Sequence, residues 1–170
     1  MRLFVAIDFE NKDYFSEIQK KLPEANTTYP KEFHLTLQFL GETSKKDEIV
    51  DKLKQINFDP FQLKTTNIGV FPNKNTIKVV WLGLEHNDTL ERLQKDIETK
   101  MRSLEFEPDY KEFKPHITLA RIKYLKDSNS YIKRLKTIKF EPKEFYVKTI
   151  KLIKSTLSSD GPVYETILEI

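Results

Sequence analysis

Two short segments of this chain are near copies, and no other feature restricts its fold so much. His34-Leu35-Thr36-Leu37 and His116-Ile117-Thr118-Leu119 both read His-apolar-Thr-Leu; they begin 82 residues apart in a chain of 170 and use two of its three histidines. Each follows a phenylalanine, Phe33 or Phe113, within three residues and leads into an apolar run. Side chains along a strand alternate between two faces. On a strand, His34 and Thr36 therefore share one face while Leu35 and Leu37 pack on the other. His116 and Thr118 stand in the same relation to Ile117 and Leu119. Each copy offers an imidazole beside a hydroxyl, and two copies face to face would surround one cleft with two acid/base groups and two hydroxyls.

One His-x-Thr on a strand is ordinarily structural, a half-buried histidine next to a good strand former. Repetition at equivalent places in two halves favours the functional reading. A metal site lacks ligands. The chain has no Cys, no His-x-His or His-x-x-x-His, and no carboxylate within either tetrapeptide. Neither a metal nor a cofactor is expected. The missing cysteines also exclude disulfides and thiol nucleophiles, and they agree with a cytoplasmic protein.

The surrounding elements repeat as well. Arg2–Asp8 reads as a strand, and Tyr14, Phe15, Ile18 and Leu22 fall at helical spacing before Pro23. Ala25–Pro30 reads as a loop, His34–Leu40 as a strand, and Ile49, Leu53 and Ile56 as a helix opened near Ser44. Phe61–Phe71 and Ile77–Leu84 read as strands. Leu90, Leu93, Ile97, Met101 and Leu104 mark the longest helix. His116–Ile122 is a strand, Ile132 and Leu135 mark a helix, and Phe145–Ser155 and Val163–Ile170 close the chain as strands. The order strand, helix, strand, helix, strand thus runs twice. It predicts an α+β fold: one domain over 1–170, built of two lobes of roughly 1–72 and 77–170. Their sheets would pack about a pseudo-two-fold axis with the histidine strands central.

Charge narrows the partners. Twenty-nine basic and 26 acidic residues leave a net +3. That is too balanced for a histone-like binder but compatible with a local basic groove for a phosphate. The start, Met1–Asp8, is too short for a signal sequence and soon charged. No apolar run approaches the roughly 18 residues of a membrane span. Two histidines without a nucleophile or metal suit in-line attack at phosphorus, one removing a proton and the other donating one to the leaving oxygen. The threonines would bind non-bridging oxygens as charge builds on them. A ribose 2′,3′-cyclic phosphate is a natural substrate for such a pair.

On these residues the chain resembles the two-histidine (2H) phosphoesterase superfamily, and within it the RNA 2′,3′-cyclic phosphodiesterases, also called 2′-5′ RNA ligases. The resemblance runs over nearly the whole chain. It is carried by Arg2-Leu3-Phe4-Val5-Ala6-Ile7-Asp8, by His34-Leu35-Thr36-Leu37-Gln38-Phe39-Leu40-Gly41-Glu42 and by Gly69-Val70-Phe71-Pro72 with Val79–Leu84. Pro115-His116-Ile117-Thr118-Leu119-Ala120-Arg121 and the closing Ser155 to Glu165 complete it. Thr28-Tyr29-Pro30 departs from it, where members often carry a Trp. The resemblance implies a bilobal 2H phosphoesterase fold of two antiparallel sheets around a central cleft. It implies His34 as proton donor to the leaving oxygen, His116 as the acceptor that activates water, and Thr36 and Thr118 as phosphate holders. The product would be a 2′-phosphate end, and 2′-5′ ligation the reverse reaction. The expected partners are RNAs with 2′,3′-cyclic phosphate ends, tRNA fragments among them, acted on by a monomer without membrane attachment.

Alternatives stay open. The site could act on a small cyclic nucleotide or a 2′-5′ oligonucleotide. It could instead be a non-catalytic RNA- or nucleotide-binding module, although a binder needs no acid/base pair. Arg121 is a candidate substrate-binding residue. Strict alternation puts it with Ile117 and Leu119, away from the cleft, while strand twist could return it to a phosphate; a structural salt bridge is the competing role. His86 reads as a solvated loop residue, Trp81 as core rather than a stacking platform, and Lys133–Lys143 as a solvated face rather than an RNA contact.

Overall fold

The alternating sequence of Arg2–Phe9 produces a strand, β1, whose odd positions Leu3, Val5, Ile7 and Phe9 all lie in the main core. Its even positions Phe4 and Ala6 form a small second cluster with Ile153, backed by Tyr164. In the computed structural model, which describes residues 1–108 and 112–170, α1 (Lys12–Lys20) and β2 (Asn26–Thr28) follow. Next come β3 (Phe33–Glu42), α2 (Lys46–Leu53), β4 (Phe61–Pro72), β5 (Ile77–Leu84), α3 (Asp88–Arg102), β6 (His116–Tyr124) and α4 (Ser128–Leu135). The chain ends with β7 (Glu144–Val147), β8 (Lys151–Ser158) and β9 (Gly161–Glu169). None of the described helices is long and apolar enough to cross a membrane.

Two antiparallel sheets result, one ordered β3-β1-β8-β9 and the other β2-β6-β5-β4-β7. The doubled order of elements has a spatial counterpart. The trio β3-β1-β8 corresponds to β6-β5-β4, with the histidine strand outermost in each. Pairing register fixes the correspondence: Asp8 lies opposite His34 and Ala6 opposite Thr36, while Gly83 lies opposite His116 and Trp81 opposite Thr118. Each sheet takes strands from both sides of the 72–77 boundary, because β4 joins β5 and β8 joins β1. The helices cross over in the same way, α1 packing on β6 and α3 on β3. The strands β3 and β6, which carry the histidine motifs, lie against each other and bring the two sheets together.

Three local expectations change. Phe145–Ser155 is not one strand. Its first part, β7, pairs with β4, and its second, β8, pairs with β1 in the other sheet. Buried Ile150 marks the crossing, its amide and carbonyl both bonded to Ile170. A β-rich run without Gly or Pro gives no local sign that it changes sheets. The segment read as a loop before Pro30 contains the edge strand β2, which pairs with β6 and sets Thr28 beside Arg121. The second helix starts after Lys45 without a side-chain cap, whereas α3 is capped by Asn87, whose side chain accepts from the Leu90 amide at 2.9 Å.

Candidate active site

Burial of alternate residues fixes the two histidine strands. Leu35 and Ile117 are fully buried, as is Leu119, and Leu37 nearly so. Burying each such side chain contributes about 1.5–3 kcal/mol. A one-residue slip would exchange these apolar residues for His and Thr, so the core itself holds both imidazoles on the opposite face of their strands. All four of His34, Thr36, His116 and Thr118 are half-buried. The His34 ring lies 5.0 Å from Phe4 and 5.2 Å from Tyr164, centre to centre, with Tyr164 edge-on. The His116 ring meets Phe71 edge-on at 4.9 Å and Trp81 at 6.2 Å. The Lys114 ammonium stands 5.6 Å from the Trp81 ring centre and 5.8 Å from that of Phe71.

Trp81 is buried, as expected of a core residue, but lies outside the main cluster. Its side chain lies on the face it shares with Thr118, beside the His116 ring. Its ring lies against Gly69, where an added Cβ would collide with the indole. A glycine is required there for lack of space.

Arg121 departs from strict alternation because both histidine strands carry a bulge at the same place. Val5 pairs with Gln38 and Ala6 with Thr36, leaving Leu37 unopposed; Val80 pairs with Ala120 and Trp81 with Thr118, leaving Leu119 unopposed. One extra residue reverses the alternation beyond it. Leu40 and Ile122 consequently enter the core, and Phe39 and Arg121 emerge on the histidine face. These two occupy equivalent positions, and they differ. Phe39 stacks on Phe4 at 5.7 Å under the Arg2 guanidinium, whereas Arg121 puts a cation near both imidazoles.

Each bulge frees a carbonyl that a helix glutamine meets. Gln19 of α1 donates through Nε2 to the Leu119 and Pro30 carbonyls, both at 2.9 Å. Gln94 of α3, at the equivalent helix position, reaches the Leu37 carbonyl at 3.5 Å. Sequence reading missed both glutamines. The only local sign was a polar residue on the apolar stripe of α3, where Gln94 is buried beside Leu90, Leu93, Ile97 and Met101.

Electrostatics separate the two histidines. Burial lowers His34 to about 4, with the Asp8 charge opposing and the Arg121 charge assisting. Burial also lowers His116; its bond to the Lys114 carbonyl opposes, and Arg121 and Lys114 assist. Nδ1 of His116 lies 2.6 Å from that carbonyl, which can only accept. His116 is thus held as the Nδ1–H tautomer with a free lone pair on Nε2. In the free protein burial and Arg121 outweigh Asp8 and leave the His34 ring neutral near pH 7. A phosphate anion in the cleft would shift that balance toward protonation.

The third histidine stands apart. His86 is exposed, with Nε2 2.7 Å from Asp88 and Nδ1 3.3 Å from Glu91. These are the only described His, Asp or Glu groups that cluster closely enough to hold a metal ion. The carboxylates approach opposite nitrogens of the ring. That geometry suits an imidazolium, because one metal ion could take only one ring nitrogen.

The comparisons with known proteins point one way. The profile of the 2′-5′ RNA ligase superfamily matches residues 10–158. A protein of Methanocaldococcus jannaschii named RNA 2′,3′-cyclic phosphodiesterase is 38% identical, over 99% of both chains. One of the same name from Aeropyrum pernix is 34% identical over 85% of this chain and 84% of its own. Among solved structures, one from Thermus thermophilus superposes with a TM-score of 0.81 at 28% identity, covering 99% of this chain and 96% of that one. Escherichia coli LigT in complex with 3′-AMP gives 0.80 at 23% identity and the same coverage, a likeness of fold.

Proposed function

The chain belongs to the 2′-5′ RNA ligase superfamily, and from that premise we propose that it hydrolyses RNA 2′,3′-cyclic phosphate ends to 2′-phosphate ends by His/His acid-base catalysis, without a metal or cofactor. The relatives named RNA 2′,3′-cyclic phosphodiesterase support the substrate class. The observation that carries the mechanism is the unequal setting of the two equivalent histidines. His116, with Nδ1–H tied to the Lys114 carbonyl and Nε2 free, is suited to take a proton from water. His34, facing a carboxylate and flanked by Phe4 and Tyr164, is the donor to the O3′ leaving group. Thr36 and Thr118 hydrogen-bond the non-bridging oxygens. Arg121, turned to their face by the bulge, supplies the compensating cation.

Protonation of His34 is then coupled to substrate binding, since the incoming phosphate anion favours the imidazolium. The same site run backwards, with an RNA 5′-hydroxyl in place of water, would form a 2′-5′ linkage. The protein acts as a cytoplasmic monomer on RNA ends, tRNA fragments included. The test is incubation of a 2′,3′-cyclic-phosphate oligonucleotide with the protein in EDTA, followed by identification of the product end. A 2′-phosphate is expected. A 3′-phosphate, or activity restored only by Mg²⁺ or Mn²⁺, refutes the proposal.

A further inference from the structure

The two histidine motifs are equivalent in sequence, strand position and bulge, yet they face different neighbours across the strand pair. Opposite His116 is Gly83, which has no side chain; opposite His34 is Asp8. Residues directly opposite on one face have Cβ atoms about 4.5–5.5 Å apart. Asp8 is on the cleft face, since its neighbours Ile7 and Phe9 are both in the core. Its Oδ2 accepts from Lys151 Nζ at 2.9 Å, and both side chains are partly buried, at 31% and 17% exposure. We propose that Asp8 is the positioning residue of His34: its carboxylate, aimed by Lys151, is the anion that strengthens this histidine's hold on the proton to be donated, and no side chain stands in the equivalent place opposite His116.

The remaining charged and titratable groups around the ring are accounted for. From β6, Arg121 opposes protonation of His34. From β9, Tyr164 packs edge-on against it, a neutral phenol whose own proton is held more tightly by burial. From β8, Lys151 interacts with Asp8, and beyond it with Glu169 and Glu10. Asp8 is thus the anion among these groups that favours a protonated His34, and Lys151 tempers its field. Lys151 also keeps the carboxylate from becoming an uncompensated charge in a partly buried wall. Asp8 touches no reacting atom in this scheme and acts through His34.

The inference rests on His34 being the proton donor, and two variants test it. Asp8→Asn keeps the shape and removes the charge; Lys151→Met keeps the carboxylate and removes its cation. In Asp8→Asn, the His34 ring resonances should titrate about one pH unit lower, at the small end of opposite-charge effects. Above neutral pH the fraction of protonated His34 falls in proportion, so kcat/KM on a cyclic phosphate should drop about 10-fold. A p-nitrophenyl phosphodiester, whose leaving group needs no proton, should show little loss. Lys151→Met should displace both the titration and the alkaline kcat/KM upward. An unmoved His34 titration in Asp8→Asn, or the same direction of change in both variants, overturns the proposal. Failure of the donor reading has its own signature: the titrations move as expected, but the nitrophenyl substrate rescues neither Asp8→Asn nor His34→Ala.

Discussion

The free protein should show histidines displaced in opposite directions, His86 upward and the two of the site downward. In solution each imidazole would titrate near 6.5. Here His86 is raised by its hydrogen bond to Asp88 and the charge of Glu91, His116 is lowered by burial, and His34 is lowered further, to about 4. Because His34 binds its proton less readily folded than unfolded, the unfolded chain holds more protons between about pH 4 and 6.5. The contribution to stability is therefore fully present above about pH 6.5 and is lost as pH falls through that window. The whole gap corresponds to about 3 kcal/mol, of which about 2 kcal/mol should disappear between roughly pH 7 and pH 5. Other acid-sensitive groups act in any variant, so the measurement is a difference. Urea unfolding of the parent and of His34→Gln at these two pH values should give a parent that loses about 2 kcal/mol more. The ring resonances of the three histidines, assigned through single Gln variants, should titrate in the order His86 highest, His116 next, His34 lowest. Inorganic phosphate should raise the two cleft histidines and leave His86 unmoved. Equal acid sensitivity of parent and His34→Gln, or a His34 titration near 6.5, would refute the argument from burial.

Other substitutions separate the roles. His34→Ala and His116→Ala should each slow cyclic-phosphate hydrolysis by at least ~10²-fold, the lower range of general acid or base catalysis; a nitrophenyl leaving group should rescue only the former. Rescue of the His116 variant would reverse the assignment. Thr36→Ala and Thr118→Ala should each lower kcat by roughly 10-fold with KM little changed, on the scale of one hydrogen bond strengthened in the transition state. Full activity in the double variant would remove both from the chemistry. Gly69→Ala should displace the Trp81 indole and disturb the His116 wall, read as a changed tryptophan fluorescence spectrum and lost activity. An unchanged spectrum counts against the close packing. Gln19→Leu strands the Leu119 and Pro30 carbonyls and should cost about 1–3 kcal/mol in urea unfolding, while weakening phosphate binding through Arg121.

Legibility in the sequence followed the range of the physical cause. His34 with Thr36 and His116 with Thr118 could be placed together because strand alternation is decided by immediate neighbours. The doubled order of elements was readable for the same reason. Arg121 was not, because its direction depends on the extra residue at Leu119, and what satisfies that bulge is Gln19, a hundred residues earlier in the chain. Trp81 reads as core and is buried, but its place beside His116 was hidden because an apolar run shows burial and not which face is buried. The division of Phe145–Ser155 between two sheets was hidden because strand partner choice leaves no local mark. The exchange of β4 and β8 between sheets was hidden in the same way.

A repeated fold poses a chemical problem that side chains must solve. Two equivalent strands supply two equivalent imidazoles, but one group must give a proton while the other takes one. The bulge beside the motif and the helix glutamine recur in both halves, and the backbone supplies one difference, the Lys114 carbonyl that holds Nδ1–H of His116. The side-chain differences sit at the positions facing the motifs: Asp8 against Gly83 across the strand, Ala6 against Trp81 beside the threonine, and Phe39 against Arg121 beyond the bulge. All three contrasts lie on the cleft face, while the core-facing partners Leu35 and Ile117 remain alike. On this reasoning, transplanting the contrast should move the chemistry more readily than altering either histidine's packing. A variant carrying Asp8→Gly with Gly83→Asp provides the stringent form of that argument. Gly83 is tightly enclosed by Thr66 and Trp81, so the aspartate would need Thr66→Gly beside it. If that variant folds and the NMR titration of His116 does not rise relative to that of His34, the cross-strand carboxylate is not what makes the two halves unequal.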